Sequence, residues 1–216
     1  MIEMVYRAAS ASRVCRTVVA TDDPRIAKEV KNFGGEVVIT SSSHRSGTER
    51  VEEASRGMEA EVVVNVQGDE PFLKPEMIDQ LAEELLSDSS LSTVTLIKEI
   101  ESEAEYRDPG VVKVVTDSSG FALYFSRAPI PYRKNKVGSR PFKHIGIYGF
   151  RKGFLHGFVS LPPGRLETEE GLEQLRILEN GYKIKTLVTA WDTIGIDTPE
   201  DLRRAVERLR RDRGDD

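Results

Sequence analysis

Apolar residues recur at helical spacing at Ile2, Val5, Tyr6 and Ala9, so residues 1–12 predict an amphipathic helix. ThrValValAlaThr at 17–21 reads as a short buried strand. Asp23 and Pro24 then supply an N-cap and a first-turn proline for a helix that Gly34 closes. A strand at 36–40 and a helix over 48–58 follow. Residues 61–66, GluValValValAsnVal, form the most strand-like run, a continuous apolar strip of the kind buried on both faces of a parallel sheet. Met77, Ile78, Leu81, Ala82 and Leu85 share one face of a helix over 75–86. Strand and helix alternating at this interval predict an α/β fold, a doubly wound, mostly parallel sheet with helices on both sides. Such sheets open on a strand whose following loop carries phosphate-binding residues. This chain opens on a helix, so that first strand and its loop are expected to be missing.

Beyond a strand at 93–97 the rhythm changes. Residues 111–116 and 121–125 flank AspSerSerGly, which predicts a hairpin with Gly120 at positive φ. Pro129 and Pro131 end its second arm, residues 132–142 form a polar, basic loop, and 144–150 alternate as a further strand. Residues 98–150 therefore read as a β-rich insertion within a single domain spanning 1–216. Residues 168–180 predict one helix ended by Gly181, and 182–189 a strand. Thr198, Pro199 and Asp201 make a capping-box start for a terminal helix.

A chain of 216 residues with 38% hydrophobic content can bury a core without disulfides or structural metal. Its net charge of −5 is spread along the chain. The one basic concentration, Arg203 to Arg213, alternates with Glu207 and Asp212 on a helix and reads as a solvated face, so no nucleic-acid partner is expected. The single cysteine, Cys15, excludes an intramolecular disulfide and fits a reducing compartment. It stands just before a strand as a small core or half-exposed residue with no base placed beside it. No stretch approaches the ~20 apolar residues that cross a bilayer. Residues 1–12 lack the character of a cleavable signal, so a cytoplasmic protein without a membrane partner is expected.

The strongest chemical signal is ValAsnValGlnGlyAspGluPro at 64–71. A buried strand ends there, Gly68 permits a sharp turn, and Asp69 and Glu70 stand at the carboxyl edge of the sheet, where open α/β sheets bind ligands. Carboxylates at that edge suit Mg²⁺, which takes oxygen ligands and keeps substrate phosphates in its shell. The same residues also serve as a plain turn opening the next helix. Asp197, in IleGlyIleAspThrProGlu at 194–200, is either a second metal ligand or a cap for the terminal helix. Ser46, Gly47 and Thr48 open a helix and offer an anion or base contact, without the lysine of a P-loop. Arg50 either reaches a phosphate or pairs with Glu49 or Glu53. Arg127, Lys143 and His144 would bring positive charge to an acidic substrate, arginine gripping a carboxylate with its planar fork. His156, between Phe154 and Phe158, reads as packing.

With these blocks in view the chain resembles the 3-deoxy-manno-octulosonate (Kdo) cytidylyltransferase family from Met1 to about Arg208. Beyond 44–50 and 64–71, the matching blocks are ValAlaThrAsp (19–22), ValValLysValVal (111–115), AlaLeuTyrPheSerArg (122–127), HisIleGlyIleTyrGlyPhe (144–150), LeuGluGlnLeuArg (172–176) and GlyIleAspThrProGluAspLeu (195–202). The resemblance implies a nucleotide-diphospho-sugar transferase-like fold and the coupling of CTP to Kdo, giving CMP-Kdo and pyrophosphate for lipopolysaccharide synthesis. It implies Asp69 and Asp197 as catalytic Mg²⁺ ligands. Gln67, Arg127, His144, Tyr148, Glu173 and Gln174 would surround Kdo, and Thr21, Asp22, Ser46, Gly47 and Arg50 would face the cytidine half. It also implies a homodimer, for which residues 98–150 are the expected contact region. Family members begin with a strand and a Pro-Ala-Arg-x-x-Ser-Thr-Arg-Leu-Pro-Gly-Lys phosphate loop, whereas this chain enters after it, so the chain as written is expected to have little activity. A cytidylyltransferase for another acid sugar, such as sialic acid, and a catalytically dead sugar-binding paralogue are the alternatives.

Overall fold

A computed structural model describes residues 1–135, 140–193, 195–196 and 198–213. Helix α1 (Ile2–Ser10) buries Val5 and Ala9. Strands β1 (Val19–Thr21) and β2 (Val37–Ile39) pair in parallel across α2 (Pro24–Asn32). Asp23 caps α2 by accepting the Arg25 N–H, and Gly34 leaves it at φ 79°, as the sequence predicts. Then come α3 (Gly47–Ser55), β3 (Val62–Asn65), α4 (Pro75–Ser87), β4 (Thr93–Glu99) and the short α5 (Glu103–Arg107). Strands β5 (Lys113–Thr116) and β6 (Ala122–Ser126) form the expected hairpin, with Gly120 at φ 77° and the Asp117 carboxylate accepting the Phe121 N–H at 2.9 Å. The chain continues through β7 (Phe142–Arg151), α6 (Lys152–Phe158), α7 (Arg165–Glu170), α8 (Leu175–Glu179), β8 (Lys185–Val188) and α9 (Pro199–Arg213).

The fold is α/β, with a mixed sheet in place of a mostly parallel one. Its order is β6-β5-β7-β4-β8, and β3 pairs with β7. β1–β2 and β4–β8 are parallel, while β7 runs antiparallel to β3, β4 and β5. The physical reason lies in β7 itself. Its alternation buries Ile145 and Ile147 in one apolar cluster and Phe150 in another, so both faces need cover and the strand takes a central place. Residues 142–151 therefore belong to the main sheet, although the sequence puts most of them in an insertion; the β5–β6 hairpin is what extends it. β3, expected to be buried on both faces, is half-buried at Val62 to Val64 and buried only at Asn65.

One cluster joins α1 and α4 to the sheet through Met77, Leu81, Leu85, Val94, Leu96 and Ile147. Fully burying each such side chain contributes about 1.5–3 kcal/mol. α4 lies so close that a Cβ at Gly149 would stand 2.9 Å from the side chains of Leu85 and Val94. The second cluster packs α6 and α8 on the opposite face through Phe125, Phe150, Leu155, Phe158, Leu175 and Ile177.

Three further expectations are corrected. The single helix over 168–180 is two, α7 and α8, because Gly171 adopts φ 63° and ends the first. His156 does not pack: its side chain is 71% exposed and its Nδ1 lies 2.8 Å from a carboxylate oxygen of buried Glu52. Cys15 is exposed rather than part of the core. The terminal capping box is present, Thr198 N–H donating to Asp201 Oδ2 at 3.0 Å and Asp201 N–H to Thr198 Oγ1 at 3.2 Å. Among the described residues no helix is long and apolar enough to cross a membrane.

Candidate active site

The N-terminus of α3 organises the site. Ser46 caps it in extended backbone, its Oγ accepting the Glu49 N–H at 3.2 Å. Gly47 allows a close approach, since a Cβ there would stand 3.0 and 3.1 Å from the Gln67 amide, which would have to give by a few tenths of an ångström. Ser46 Oγ donates to Glu173 Oε1 at 2.7 Å and Thr48 Oγ1 to Glu173 Oε2 at 2.5 Å. Asn65, the last residue of β3, donates to Thr48 Oγ1 at 3.3 Å. Both oxygens of Glu173 thus end on a helix N-terminus, where negative charge is favoured. The break at Gly171 supplies the turn that carries Glu173, and Gln174 is buried beside it at the head of α8.

Tyr148 and His144 lie four residues apart on one face of β7, with ring centroids separated by 5.2 Å. His144 also meets Phe125 edge-on at 5.2 Å. The Tyr148 hydroxyl is buried beside the Thr95 hydroxyl, and burial, reinforced by the charge of Glu173 and only partly offset by Thr95, pushes its pKa well above the usual phenol value. Burial pushes His144 down to about 3, so the ring is neutral at neutral pH and does not supply the expected positive charge. Lys143 does not supply it either, because its ammonium is paired with Glu105 and with Asp192 at 2.8 Å.

Arg127 keeps its charge exposed. Its N–H donates to Glu170 Oε2 at 2.9 Å, its Nε to the Glu170 carbonyl at 2.9 Å and its Nη1 to the Pro109 carbonyl at 3.1 Å. Sequence reasoning missed the two groups that fix it. Glu170 also accepts Ser126 Oγ at 2.6 Å, and fully buried Lys113 donates to the carbonyls of Val111, Asp108 (2.8 Å) and Arg127 (2.6 Å). Desolvation lowers the Lys113 pKa, and three carbonyl acceptors replace the water it has lost. The one hint in the sequence was a lysine inside an otherwise apolar strand.

A second group stands at the ends of β1 and β2. Arg50 pairs with Asp22 at 3.1 Å instead of with Glu49 or Glu53, and its Nη1 donates to Thr40 Oγ1 at 2.6 Å and to the Ser41 carbonyl at 3.3 Å. Glu49 and Glu53 instead serve Arg45 and His44. Thr21 is buried, its Oγ1 accepting the Asp23 N–H at 3.1 Å and its carbonyl the Thr40 N–H at 3.0 Å.

Asp69 follows β3 at the sheet edge. Ile196 N–H donates to its carbonyl at 3.1 Å, and a Cβ on Gly195 would lie 3.5 Å from Glu70 and 4.0 Å from the Asp69 carboxylate. The residues leading to Asp197 are thereby docked on the Asp69 turn, while Asp197 lies outside the described residues. Among the described residues no three acidic, His or Cys side chains form a metal cage. A carboxylate at the sheet edge fits Mg²⁺ by its chemistry, since that ion binds through one or two carboxylates together with water and substrate phosphate. Two cavities lie apart from all these groups, one of about 670 Å³ beside Arg151 and Phe154 and one of about 270 Å³ beside Tyr6, Ser10 and Phe33.

Ser46, Gly47, Gln67, Glu173, Tyr148 and His144 thus form one linked set, with Gln174 beside it. Arg127 joins through Glu170 and the turn before Glu173, and Asp22 with Arg50 forms the second group at the ends of β1 and β2. Comparisons with known proteins bear on what this set belongs to. A family model described as cytidylyltransferase matches residues 1–184. The 3-deoxy-manno-octulosonate cytidylyltransferase of Thermodesulfovibrio yellowstonii is 48% identical, over 97% of this chain and 88% of that protein. The enzyme of the same name from Geobacter metallireducens is 44% identical, over 98% of this chain and 88% of its own length. A solved structure of CMP:2-keto-3-deoxy-manno-octonic acid synthetase complexed with CTP superposes with a TM-score of 0.92 at 39% identity, over 98% of this chain and 88% of that one. HddC from Yersinia pseudotuberculosis, at TM-score 0.64 and 16% identity over 95% of this chain and 84% of that one, shares the fold alone. The chain belongs to the cytidylyltransferases, and within them to the 3-deoxy-manno-octulosonate cytidylyltransferase family.

Proposed function

We propose that the protein transfers CMP from CTP to Kdo, releasing pyrophosphate and activating the sugar for lipopolysaccharide synthesis in the cytoplasm. The observation that carries this reading is the superposition on a relative solved with CTP, over nearly the whole chain. The anomeric hydroxyl oxygen of the sugar attacks the α-phosphorus, the bond to the bridging oxygen breaks, and pyrophosphate departs while the hydroxyl proton passes to solvent. Arg127, held from both ends, meets the sugar carboxylate. Gln67, Glu173, Gln174, Tyr148 and the neutral His144 orient the hydroxyls, and orientation alone is a large part of such catalysis. Thr21, Asp22, Ser46, Gly47 and Arg50 bound the cytidine side. Asp69 and Asp197 would hold Mg²⁺, which when bound lowers the pKa of the attacking hydroxyl and neutralises phosphate charge. The protein acts as a homodimer through the region 98–150, a reading supported by Leu123, 61% exposed on β6, and by Tyr132, 90% exposed.

Pyrophosphate release by the protein, measured with CTP, Kdo and Mg²⁺, tests the reaction. Turnover is expected only when all three are present. Equal turnover with sialic acid would replace the acceptor, and Kdo uptake in calorimetry without any turnover would make the protein a binder.

A further inference from the structure

Thr95 faces an irregularity in the sheet. Pairing between β4 and β7 runs Thr95 to Tyr148 and then Leu96 to Ile145, so β7 carries additional residues opposite a single step of β4. Buried Thr95 Oγ1 lies 2.9 Å from the Ile147 carbonyl, 3.3 Å from the Ile145 carbonyl and 3.1 Å from His144 Nε2. A hydroxyl has one proton, and a carbonyl oxygen can only accept. Directing that proton to His144 would leave two carbonyl oxygens facing hydroxyl lone pairs in a buried place, which is costly. The proton therefore goes to the Ile147 carbonyl, and the oxygen's lone pairs are left to accept from the neighbouring Tyr148 hydroxyl and from an N–H on His144.

We infer that Thr95 is a positioning residue that fixes the Nε2–H tautomer of His144, so that Nδ1 is left as a hydrogen-bond acceptor for a donor hydroxyl of the sugar. No protein group bonds Nδ1 among the described residues. An acceptor nitrogen repels a carboxylate and welcomes a hydroxyl, so His144 selects for a hydroxylated acceptor and Arg127 is left to meet its acid group. The depressed pKa of His144 agrees, because a protonated ring would lose its acceptor. The assignment deepens the reading of this site as the Kdo site and rests on it for the identity of the hydroxyl donor.

Nitrogen-15 NMR of the ligand-free protein with labelled histidine tests the tautomer without any reaction. A pyrrole-type shift at Nε2 and a pyridine-type shift at Nδ1 of His144 are expected, and the reverse assignment overturns the inference. Thr95→Val should mix the two tautomers and raise KM for Kdo about tenfold with little change in kcat, whereas Thr95→Ser should keep both shift and KM within about twofold of wild type. A Thr95→Val protein with an unmoved tautomer would overturn the role of Thr95. Titration with Kdo should move the Nδ1 signal. A Kdo complex that leaves Nδ1 unmoved overturns the ligand assignment, while absence of Kdo binding altogether strikes the proposed substrate and leaves the tautomer standing.

Discussion

Removing the His144 imidazole from water lowers its pKa from 6.5 to about 3. The unfolded chain takes up a proton near pH 6.5 that the folded chain refuses until near pH 3, so the folded state loses stability as pH falls through that window and loses none of it above. His144→Gln is expected to lose about 1–2 kcal/mol less than wild type between pH 7.5 and pH 5, read from urea unfolding. Identical losses would mean that the ring is open to water. Sequence made cations of Arg127, Lys143 and His144 alike, and only Arg127 stays available. The partners that neutralise Lys143, Glu105 and Asp192, lie 38 and 49 residues away in the chain, and nothing local announces them. Arg50 teaches the same lesson, its partner Asp22 coming from another strand end. The helix start at Gly47 was legible because it is a local feature, whereas Gln67 was named only through the family resemblance.

At the scale of elements the turn between α7 and α8 decides where Glu173 points. An alanine at the φ 63° of Gly171 adopts a left-handed conformation that costs roughly 1–2 kcal/mol. Gly171→Ala should lower stability in denaturant titration by about that amount and raise KM for Kdo, because a continuous helix would carry Glu173 away from Ser46 and Thr48. Gly171→Asn should do less, since asparagine tolerates this region. Unchanged stability in both would remove the turn from the account. The break was hard to read because Leu172, Leu175 and Leu178 set up helical spacing directly after Gly171, and an isolated glycine in a helical pattern is often tolerated. The starts of α2 and α9 followed from their caps, whereas the short α5 was not read from the sequence at all. The antiparallel central place of β7 was not legible either, because strand order depends on which faces meet after collapse and not on the period of one segment.

The proposed homodimer belongs to the whole molecule. Sedimentation velocity is expected to give twice the chain mass for wild type and a shift toward monomer for Leu123→Glu, which would place two carboxylates in an apolar contact. A monomeric wild type, or a dimer indifferent to Leu123, moves the contact elsewhere. The fold class was legible because alternating strands and helices restrict the architectures that remain.

The span of β7 also governs how the molecule is made. Val62 to Asn65 find their ladder partners only at 148–151, and β4 is laid down before the strand that must sit between it and β3. As the chain leaves the ribosome, two of its sheet strands therefore wait, apolar and unpaired, for a third. Such long-range closure slows maturation and leaves nascent intermediates exposed to self-association, so this protein has more to gain from chaperone holding during synthesis than a helical bundle of its length.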